Sequence, residues 1–460
     1  MKDSDAFYVT GVTFDSNNVS FKNRVFVAKM NDAGDIIESQ SFYNNEDKDY
    51  AAFHNTLIKN SRGAFLLTGY ARNPSNKLFV AQFSTLDTVT VNEYYTPNTY
   101  LFAGMKMLQY SDGNYFITGV KTDSIQNNAN VVLVKIDSSG NRLWEKVYNS
   151  AMRDYAQSIT KLNNGNLLLG AFRSDINLTN EHANTWLIEV DTGGTLIRQW
   201  FDPSDSTYTA EGLLQTQDGG FIYGAQKKFI QIGNTVAYIN TVVKMDSFFN
   251  KQWTFKTGYR SIYSGVSDIE VLDDGSFVAC GQLFSLDYDT TVLYGWIVKL
   301  DIGGNVVWEK LYLGINASQT LNFLTDIDVL PDGSLIAVGQ CQNPGQIPGQ
   351  VGWFLKLDSN GCEVENCLVG IEDQPQAPEG GFNNQLQIQP NPASDRVWLE
   401  VEPGMLGGEL KLYDISGRLM KKLMVEALQF VVEVSDLSKG VYVTTIEHEG
   451  VLGRGKLVKE

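Results

Sequence analysis

The sequence predicts an all-β protein, a seven-bladed β-propeller followed by a small C-terminal β-sandwich. Three observations predict the propeller: a unit of about fifty residues recurs along most of the chain, each unit contains four short apolar stretches, and Asp-Gly or Asp-x-x-Gly turns separate those stretches. Residues 266–313 hold one complete unit, with the strand-like segments SDIEVL, SFVACG, GWIVKLD and NVVWEKLYL. A single unit cannot bury both faces of its sheet, so neighbouring units must pack around a ring.

One glycine closes the second strand of each unit and sets the register of the repeat. These glycines recur at intervals of 50 to 58 residues, at Gly11, Gly69, Gly119, Gly170, Gly224, Gly281 and Gly339. An apolar third strand follows each glycine, and four copies carry a tryptophan in the fourth strand, at Trp144, Trp200, Trp253 and Trp308. The register therefore predicts seven copies of a four-stranded unit within residues 1–370.

The first copy differs from the others because it starts at its second strand, AFYVTG. We therefore expect a first blade that lacks its first strand. The opening residues MKDSDAFYVTG contain no apolar signal region. We also expect that sequence is missing upstream, including an export signal. The alternative is that another segment of the chain completes the blade.

Composition excludes several classes of partner. The formal net charge of −17 argues against binding to nucleic acid or to an anionic membrane surface, both of which attract clustered Lys and Arg. No run of eighteen apolar residues is present, so we expect no transmembrane helix. A hydrophobic content of 43% is enough for a large core. No cofactor is expected.

The turns and loops should separate onto two faces. Turns between strands one and two, and between strands three and four, are short and alike, whereas the other connections are long and varied. Variable loops on a rigid scaffold are common binding sites. The candidate ligand contacts on the variable side are Tyr155, Asp202, Asp205, Tyr208, Tyr259, Tyr263, Asp287, Tyr288 and Asp289. The simpler interpretation of these residues is a set of solvated loops.

Catalytic and metal motifs are scarce. The three histidines, His54, His182 and His448, are far apart and fall in no recognised catalytic pattern. The calcium-loop pattern is absent, and we expect no metal site. Asp301, Gly304 and Trp308 are spaced differently from a sialidase Asp box, and we interpret them as a hairpin with a packing tryptophan. Carboxylates could meet in a central channel, but the sequence alone cannot pair them.

The four cysteines suggest one disulfide. Cys362 and Cys367 follow the last blade strand, and their spacing suits a small closed loop better than a zinc site. Cys280 ends a buried strand and should be free, and we expect no bond between it and Cys341. One disulfide is a weak indication of an oxidising compartment.

The amino-acid composition changes after Gly370, and this change predicts a second domain. Residues 371–383 are rich in Pro, Gly, Gln and Asn and read as a linker. Residues 384–460 contain several short strands separated by turns, as in a small β-sandwich. The blocks LQIQPNPASD, ELKLYDISGRLMKK, VSDLSKGVYVTTIE and GKLVKE occur there in order. Together they resemble the C-terminal sorting domain of the type IX secretion system of Bacteroidetes (type A).

The resemblance implies export through the periplasm and across the outer membrane, to the cell surface or the medium, by type IX secretion machinery that recognises the tail. The residues that carry the resemblance are Pro390, Asn391, Pro392, Asp395, Tyr413, Asp414, Gly417, Arg418, Gly440, Tyr442 and Lys456. The segment GCEVENC is also similar to a feature of such cargo proteins. The resemblance does not say what the propeller does, because these tails are carried by many kinds of protein.

Three functions are compatible with this organisation. The first is a binding module for an extracellular glycan or protein ligand. The second is a hydrolase or lyase acting on polysaccharide with carboxylates in the propeller channel, and the third is a structural component of the cell surface. Clustered acidic and aromatic residues at one channel mouth would favour the enzyme, and aromatic residues spread over the variable face would favour binding.

Overall fold

The computed structural model divides into two compact units, Met1–Cys367 and Leu368–Glu460. It describes residues 2–3, 6–14, 23–31, 34–42, 49–53, 56–72, 77–83, 89–95, 99–110, 113–123, 128–174, 183–203, 207–232, 235–257, 261–285, 292–315, 317, 319–343, 350–363, 386–390, 392–401, 405–414, 419–448 and 451–459. These ranges contain β-strands and turns but no α-helix, which confirms the predicted all-β class.

Strands of the N-terminal unit pair with their neighbours in chain order. The first three sheets comprise β1 (Lys2–Asp3), β2 (Ala6–Phe14), β3 (Asn23–Met30) and β4 (Ile36–Phe42); β5 (Asp49–Ala52), β6 (Ile58–Lys59), β7 (Phe65–Arg72), β8 (Lys77–Phe83) and β9 (Val89–Tyr94); and β10 (Thr99–Gln109), β11 (Tyr115–Asp123), β12 (Ala129–Ile136) and β13 (Arg142–Tyr148). Within each sheet the pairs are antiparallel, as expected for strands joined by short hairpins.

The remaining strands of this unit repeat the pattern. The next two sheets comprise β14 (Arg153–Lys161), β15 (Leu167–Ser174), β16 (Ala183–Val190) and β17 (Leu196–Phe201), and β18 (Thr207–Gln215), β19 (Phe221–Ile232), β20 (Thr235–Met245) and β21 (Lys251–Lys256). The last sheet comprises β22 (Ser261–Val271), β23 (Phe277–Ser285), β24 (Leu293–Leu300), β25 (Val306–Tyr312), β26 (Leu321–Val329), β27 (Leu335–Gln342) and β28 (Gln350–Leu357). One parallel contact, Leu293 with Leu321, joins its two antiparallel groups.

The first sheet begins with a very short strand. Lys2 pairs with Phe7 and Asp3 pairs with Ala6, so β1 lies at the position that the first strand takes in the other sheets. It has two residues, whereas the first strands of the third to seventh copies have nine to eleven. The expectation that the first blade lacks its first strand therefore stays a prediction.

The Asp-x-x-Gly hairpins cap themselves. At the turn between β24 and β25, the Asp301 carboxylate accepts hydrogen bonds from the backbone N–H groups of Gly303 and Asn305, at 2.9 and 2.8 Å. The Asn305 side chain donates to the same carboxylate, and these bonds hold the pKa of Asp301 below its usual range. Gly304 completes the turn with a φ of +81°. The predicted structural role of this motif is thereby confirmed.

The same turns join neighbouring sheets. The Tyr148 hydroxyl at the end of β13 donates to the carbonyl of Gly194, in the next sheet, at 2.8 Å. The Tyr312 hydroxyl likewise donates to the carbonyl of Gly361 at 2.7 Å. Desolvation by burial, with the charge of Asp191 nearby, raises the pKa of Tyr148 far above its usual value. These hydroxyls therefore remain protonated donors that tie one blade-like unit to the next.

Replacing Gly304 by alanine should destabilise the N-terminal unit. A Cβ at this position would lie 2.6 Å from the Trp253 ring, and the positive φ is unfavourable for any other residue. We expect Gly304→Ala to lower the free energy of unfolding by about 2 kcal/mol, measured by chemical denaturation. Gly352→Ala is the matched control, because nothing lies within 4 Å of its added Cβ. Equal stability of the two variants would contradict this role of the turn.

Hydrophobic clusters lie between successive sheets. Phe116 and Leu133 of the third sheet, for example, share a buried cluster with Leu169 and Ile188 of the fourth. The first and last sheets also meet, because Phe7 packs in one cluster with Leu330 and Ile336 and its ring lies 5.4 Å from that of Phe354. Each sheet thus buries its faces against its neighbours, and the fold of this unit is propeller-like.

The C-terminal unit contains two sheets around one core. Its strands are β29 (Gln387–Gln389), β30 (Arg396–Glu400), β31 (Glu409–Asp414), β32 (Leu419–Met424), β33 (Gln429–Glu433), β34 (Gly440–His448) and β35 (Val451–Lys459). One sheet has the order β29-β30-β33 and the other the order β32-β31-β34-β35. Val397 and Leu399 of the first sheet share a buried cluster with Leu410, Leu412 and other residues of the second.

Cys362 is disulfide-bonded, whereas Cys280 and Cys341 are free and buried. Cys367, the partner that the sequence predicts, lies outside the described residues, so the pairing remains a prediction. We expect alkylation of the native, non-reduced protein to leave Cys280 and Cys341 unmodified, and alkylation after denaturation without reductant to label them alone. Mass spectrometry would contradict this arrangement by finding Cys362 and Cys367 labelled without reductant.

Candidate functional site: an acidic cavity

A cavity of about 200 Å³ lies where first strands of successive copies converge. The residues that line it are Phe53, Leu57, Met105, Lys106, Gln157, Ser158, Ile159, Glu211, Gly212, Leu213, Leu214, Ser267, Asp268, Ile269, Glu270, Asp326 and Asp328. They come from the second to seventh copies of the repeat. In a ring of sheets the first strands surround the axis, so this cavity occupies the channel of the propeller-like unit.

A β-bulge at the same point of several first strands directs side chains into this cavity. The pairing of β22 with β23 shifts between Val266 and Asp268, and that of β26 with β27 shifts between Leu324 and Asp326. Beyond the bulge the side chains alternate, so that Ile269 is 1% exposed in the core between sheets while Asp268 and Glu270 line the cavity.

The seventh copy places its residues in the same way. Ile327 is 1% exposed in the core, and Asp326 and Asp328 on either side of it line the cavity. The segments Asp-Ile-Glu and Asp-Ile-Asp of two neighbouring strands therefore bring four carboxyl groups together. No assignment from the sequence included these residues, although their identical position in two consecutive copies, SDIEVL and TDIDVL, was a usable signal.

Asp268 and Asp326 form a hydrogen-bonded carboxyl pair. Asp268 is only 6% exposed, and its Oδ2 accepts a hydrogen bond of 3.4 Å from the backbone N–H of Ile327. Burial is the main cause that raises the pKa of Asp268 well above its usual range, and the charge of Asp326 and the hydrogen bond to it raise it further. The ionised form of Asp268 is therefore disfavoured in the folded protein.

Glu270 is the second perturbed group. Burial raises the pKa of this side chain to about 7, with further contributions from the charges of Asp328 and Asp326. Lys106, on β10 of the third copy, lowers the pKa of both Asp268 and Glu270 through its positive charge, but this effect is smaller than burial. Near neutral pH the cavity therefore holds protons as well as negative charge, a condition typical of functional sites.

The rest of the wall is partly apolar. The second and third copies contribute Phe53, Leu57 and Met105, whereas the carboxyl groups come from the fifth to seventh copies. At Glu211 of the fifth copy, the carboxylate accepts a hydrogen bond of 2.8 Å from Nε2 of Gln157. The cavity thus presents an acidic side and an apolar side to whatever enters it.

This arrangement can transfer protons and can bind groups that donate hydrogen bonds. A carboxyl group with a pKa near neutrality acts as a general acid or base under physiological conditions. The described residues include no group of three or more His, Cys, Asp or Glu side chains placed to hold a metal ion. In the same residues, no helix is long and apolar enough to cross a membrane.

The ligand contacts predicted from the sequence lie outside this cavity or outside the described side chains. The Tyr155 ring stacks on Phe172 at 5.2 Å and packs in a cluster with Phe53 and Met105, which both line the cavity. Asp202 is 1% exposed and forms an ion pair of 2.8 Å with Lys251, which gives it a structural role and little surface for a ligand.

The other predicted contacts cannot be placed. Tyr208 lies on β18 and Tyr263 on β22, but their side chains are not described. The residues wholly outside the described ranges are Asp205, Tyr259, Asp287, Tyr288 and Asp289. These assignments therefore remain predictions.

The predicted sorting residues come together on adjacent strands. Tyr413 and Asp414 on β31 pair with Val443 and Tyr442 on β34. The neighbouring strand β35 pairs Lys456 with Val443 and Lys459 with Gly440, and Lys459 also bridges to Ala393. Sequence blocks that lie far apart in the chain thus meet in one sheet, and the segment around Ala393 pairs with the edge strand β35 of that sheet.

The individual sorting residues differ in exposure. Tyr442 is 4% exposed, and its hydroxyl donates to the carbonyl of Ser438 at 2.7 Å. Pro390, Pro392 and Asp395 are exposed, and Asp395 accepts a hydrogen bond from the backbone N–H of Val434 at 2.7 Å. Asn391, Gly417 and Arg418 lie outside the described residues.

Comparison with protein families identifies the class of the C-terminal unit. Residues 387–460 match the family described as the secretion system C-terminal sorting domain. This confirms the resemblance to type IX sorting domains, and it implies export to the cell surface or the medium. No curated protein matches the chain.

Three solved structures resemble the chain at low identity. A protein of unknown function from Dyadobacter fermentans is 14% identical with a TM-score of 0.45, covering 69% of this chain and 96% of its own. The endo-arabinase of Bacteroides thetaiotaomicron is 13% identical with a TM-score of 0.36, covering 67% and 94%. A puromycin hydrolase is 11% identical with a TM-score of 0.48, covering 86% of this chain and 57% of its own. At these scores the similarities carry no argument about activity.

Proposed function

We propose that this chain is an extracellular binding protein, exported by type IX secretion, whose ligand site is the cavity in the channel. One observation carries the proposal: Asp268 and Glu270, carboxyl groups with raised pKa, converge with Asp326 and Asp328 on a single cavity. Burying carboxyl groups against each other opposes folding, and packing alone does not require it. A role of these carboxyl groups in binding a ligand would explain why the protein tolerates the free-energy cost of burying them.

The proposal also includes the number of blades and the boundaries of the domains. Residues 1–370 would form seven blades, residues 371–383 a linker and residues 384–460 a β-sandwich that the secretion machinery recognises. Seven hydrophobic clusters among the described residues join successive groups of strands, and they support the blade number. One of them lies between the two antiparallel groups of the last sheet, and another joins the last sheet to the first. We place the chain in Bacteroidetes cargo that passes through the periplasm to the surface.

A ligand screen tests the cavity as a binding site. Purified residues 1–370 are screened by thermal shift against small sugars, amino acids and amines, and each hit is measured again with Asp326→Asn. We expect the substitution to weaken binding of the true ligand, because it removes a charged acceptor from the cavity. Asp273→Asn, a substitution of an exposed carboxylate just after β22, is the control. Hits that bind Asp326→Asn unchanged would exclude the cavity as their site.

A second candidate function is hydrolysis or lysis of a polysaccharide in the same cavity. Glu270 favours it, because a carboxyl group with a pKa of about 7 can donate a proton to a leaving group near neutral pH. A reducing-sugar assay on a polysaccharide panel tests this function. Activity that Glu270→Gln lowers by about a hundredfold or more would support it. Activity unchanged by that substitution would reject this cavity as the catalytic site.

A third interpretation, a structural surface component, predicts no ligand for the cavity.

A further inference from the structure

The polar atoms around the cavity are mostly acceptors. Glu211, Asp268, Glu270, Asp326 and Asp328 contribute five carboxyl groups, and their charges outnumber that of Lys106, the one basic side chain among the described lining residues. Burial, and after it the charges of the neighbouring carboxylates, raises the pKa values of Asp268 and Glu270. A guest that brings positive charge would relieve the repulsion between the carboxylates and favour their ionised forms.

The hydroxyl donors of the wall are already engaged. The Ser158 hydroxyl donates to the carbonyl of Ala210 in the next copy. The Ser267 hydroxyl donates to Oε1 of Gln282 at 3.3 Å. A ligand that requires many hydrogen-bond donors from the protein, such as a phosphate or a carboxylate, would therefore bind weakly in this cavity.

The shape and the apolar side restrict the guest further. A volume of about 200 Å³ admits one small group, which is either a separate ligand or one unit of a longer chain. Leu57, Met105 and Leu214 line the cavity together with the carboxyl groups and offer contacts to methylene carbons. An ammonium group on a short alkyl stem meets all of these conditions, since it carries three donors, a positive charge and no acceptor.

We propose that the channel cavity binds a primary alkylammonium group, with the ammonium held by Asp268 and Asp326 and the alkyl stem against Leu57 and Met105. The proposal rests on the proposed function, because it names the ligand class of the same site. The ligand is either a free amine or the lysine side chain of a peptide. A bound ammonium favours the ionised forms of Asp268 and Glu270, whose pKa values are raised, so binding releases protons from the protein.

Calorimetric titration of residues 1–370 near neutral pH tests the proposal with 1,5-diaminopentane, with Nα-acetyl-lysine amide and with 1-pentanol as the neutral control. We expect one or both amines to bind and the alcohol not to bind. The observed enthalpy should vary with the ionisation enthalpy of the buffer, because a proton is released. The relative affinity for the two amines distinguishes a free amine from a peptide side chain as the source.

Substitutions in the cavity test whether the amine binds there. We expect Asp326→Asn to weaken amine binding about tenfold or more, because it removes a charged acceptor from the cavity. Lys106→Met should strengthen binding, since it removes a like charge from the cavity. Asp273→Asn should bind as the unsubstituted protein does. Circular dichroism checks that each variant remains folded.

The outcomes separate this proposal from the proposed function. Failure of both amines to bind the folded protein would overturn the alkylammonium proposal. Amine binding that Asp326→Asn and Lys106→Met leave unchanged would overturn it as well. If a neutral sugar binds and loses affinity in Asp326→Asn while amines do not bind, the cavity remains the ligand site and only the ligand class is wrong.

Discussion

A chain that ends near Gly380 should not leave the cell. In a type IX secreting Bacteroidetes host, with a signal peptide added, the full chain should reach the cell surface or the medium, whereas the truncated chain should stay in the periplasm. The physical reason is that residues 387–460, which match the sorting family, form a sheet and core of their own. Immunoblots of fractionated cells measure the result, and the expected effect is complete loss of export.

Two controls isolate the sorting role. The truncated chain should keep the thermal unfolding and ligand binding of residues 1–370, because the N-terminal unit has its own hydrophobic clusters. Residues 384–460 fused to an exported fluorescent protein should carry that protein out of the cell. Appearance of the truncated chain outside intact cells would show that the C-terminal unit is not the sorting signal.

Stability of the N-terminal unit should fall as the pH rises from about 5 to about 8. Folding raises the pKa of Glu270 from 4.5 to about 7, so the folded state binds more protons than the unfolded state in this range. The destabilisation is absent below the unfolded pKa and complete above the folded pKa. A shift of this size corresponds to about 3 kcal/mol. Asp268 acts in the same direction, because its pKa is also raised.

The groups with lowered pKa values do not contribute to the change of stability between about pH 5 and pH 8. Asp137, Asp246 and Asp301, for example, have pKa values held below their usual range by hydrogen bonds within their turns, so they change stability only at more acidic pH. Chemical denaturation at several pH values measures the slope. Glu270→Gln should reduce the slope but not abolish it, because the pKa of Asp268 is also raised and burial raises that of Asp154 to about 6. Asp273→Asn should leave the slope unchanged. A slope that Glu270→Gln leaves intact would mean that another group is responsible.

Much of the fold could be predicted because it depends on local chemistry. The turn glycines and the Asp301 cap recur in the sequence at regular intervals, and each needs only its own neighbours to adopt its conformation. The short pairing of Lys2 and Asp3 could not be predicted, because two polar residues are too short a segment to show a pattern.

The site could not be predicted in the same way because it forms between copies. Asp268 and Asp326 are 58 residues apart in the sequence and meet only when the sixth and seventh copies pack side by side. Their burial, which perturbs the pKa of Asp268, depends on that packing too. Attention to the variable loops instead led to Asp202, which the structure pairs with Lys251.

Infrared spectroscopy of the carboxyl groups tests the central claim, that burial in the cavity raises the pKa of Asp268 well above its usual range. The Glu270→Gln background removes the other carboxyl group with a pKa near 7. In that background we predict the C=O absorption of one protonated carboxyl group at neutral pH, and its disappearance when Asp268→Asn is added. Absence of the absorption in Glu270→Gln, or its persistence after Asp268→Asn, would contradict the account.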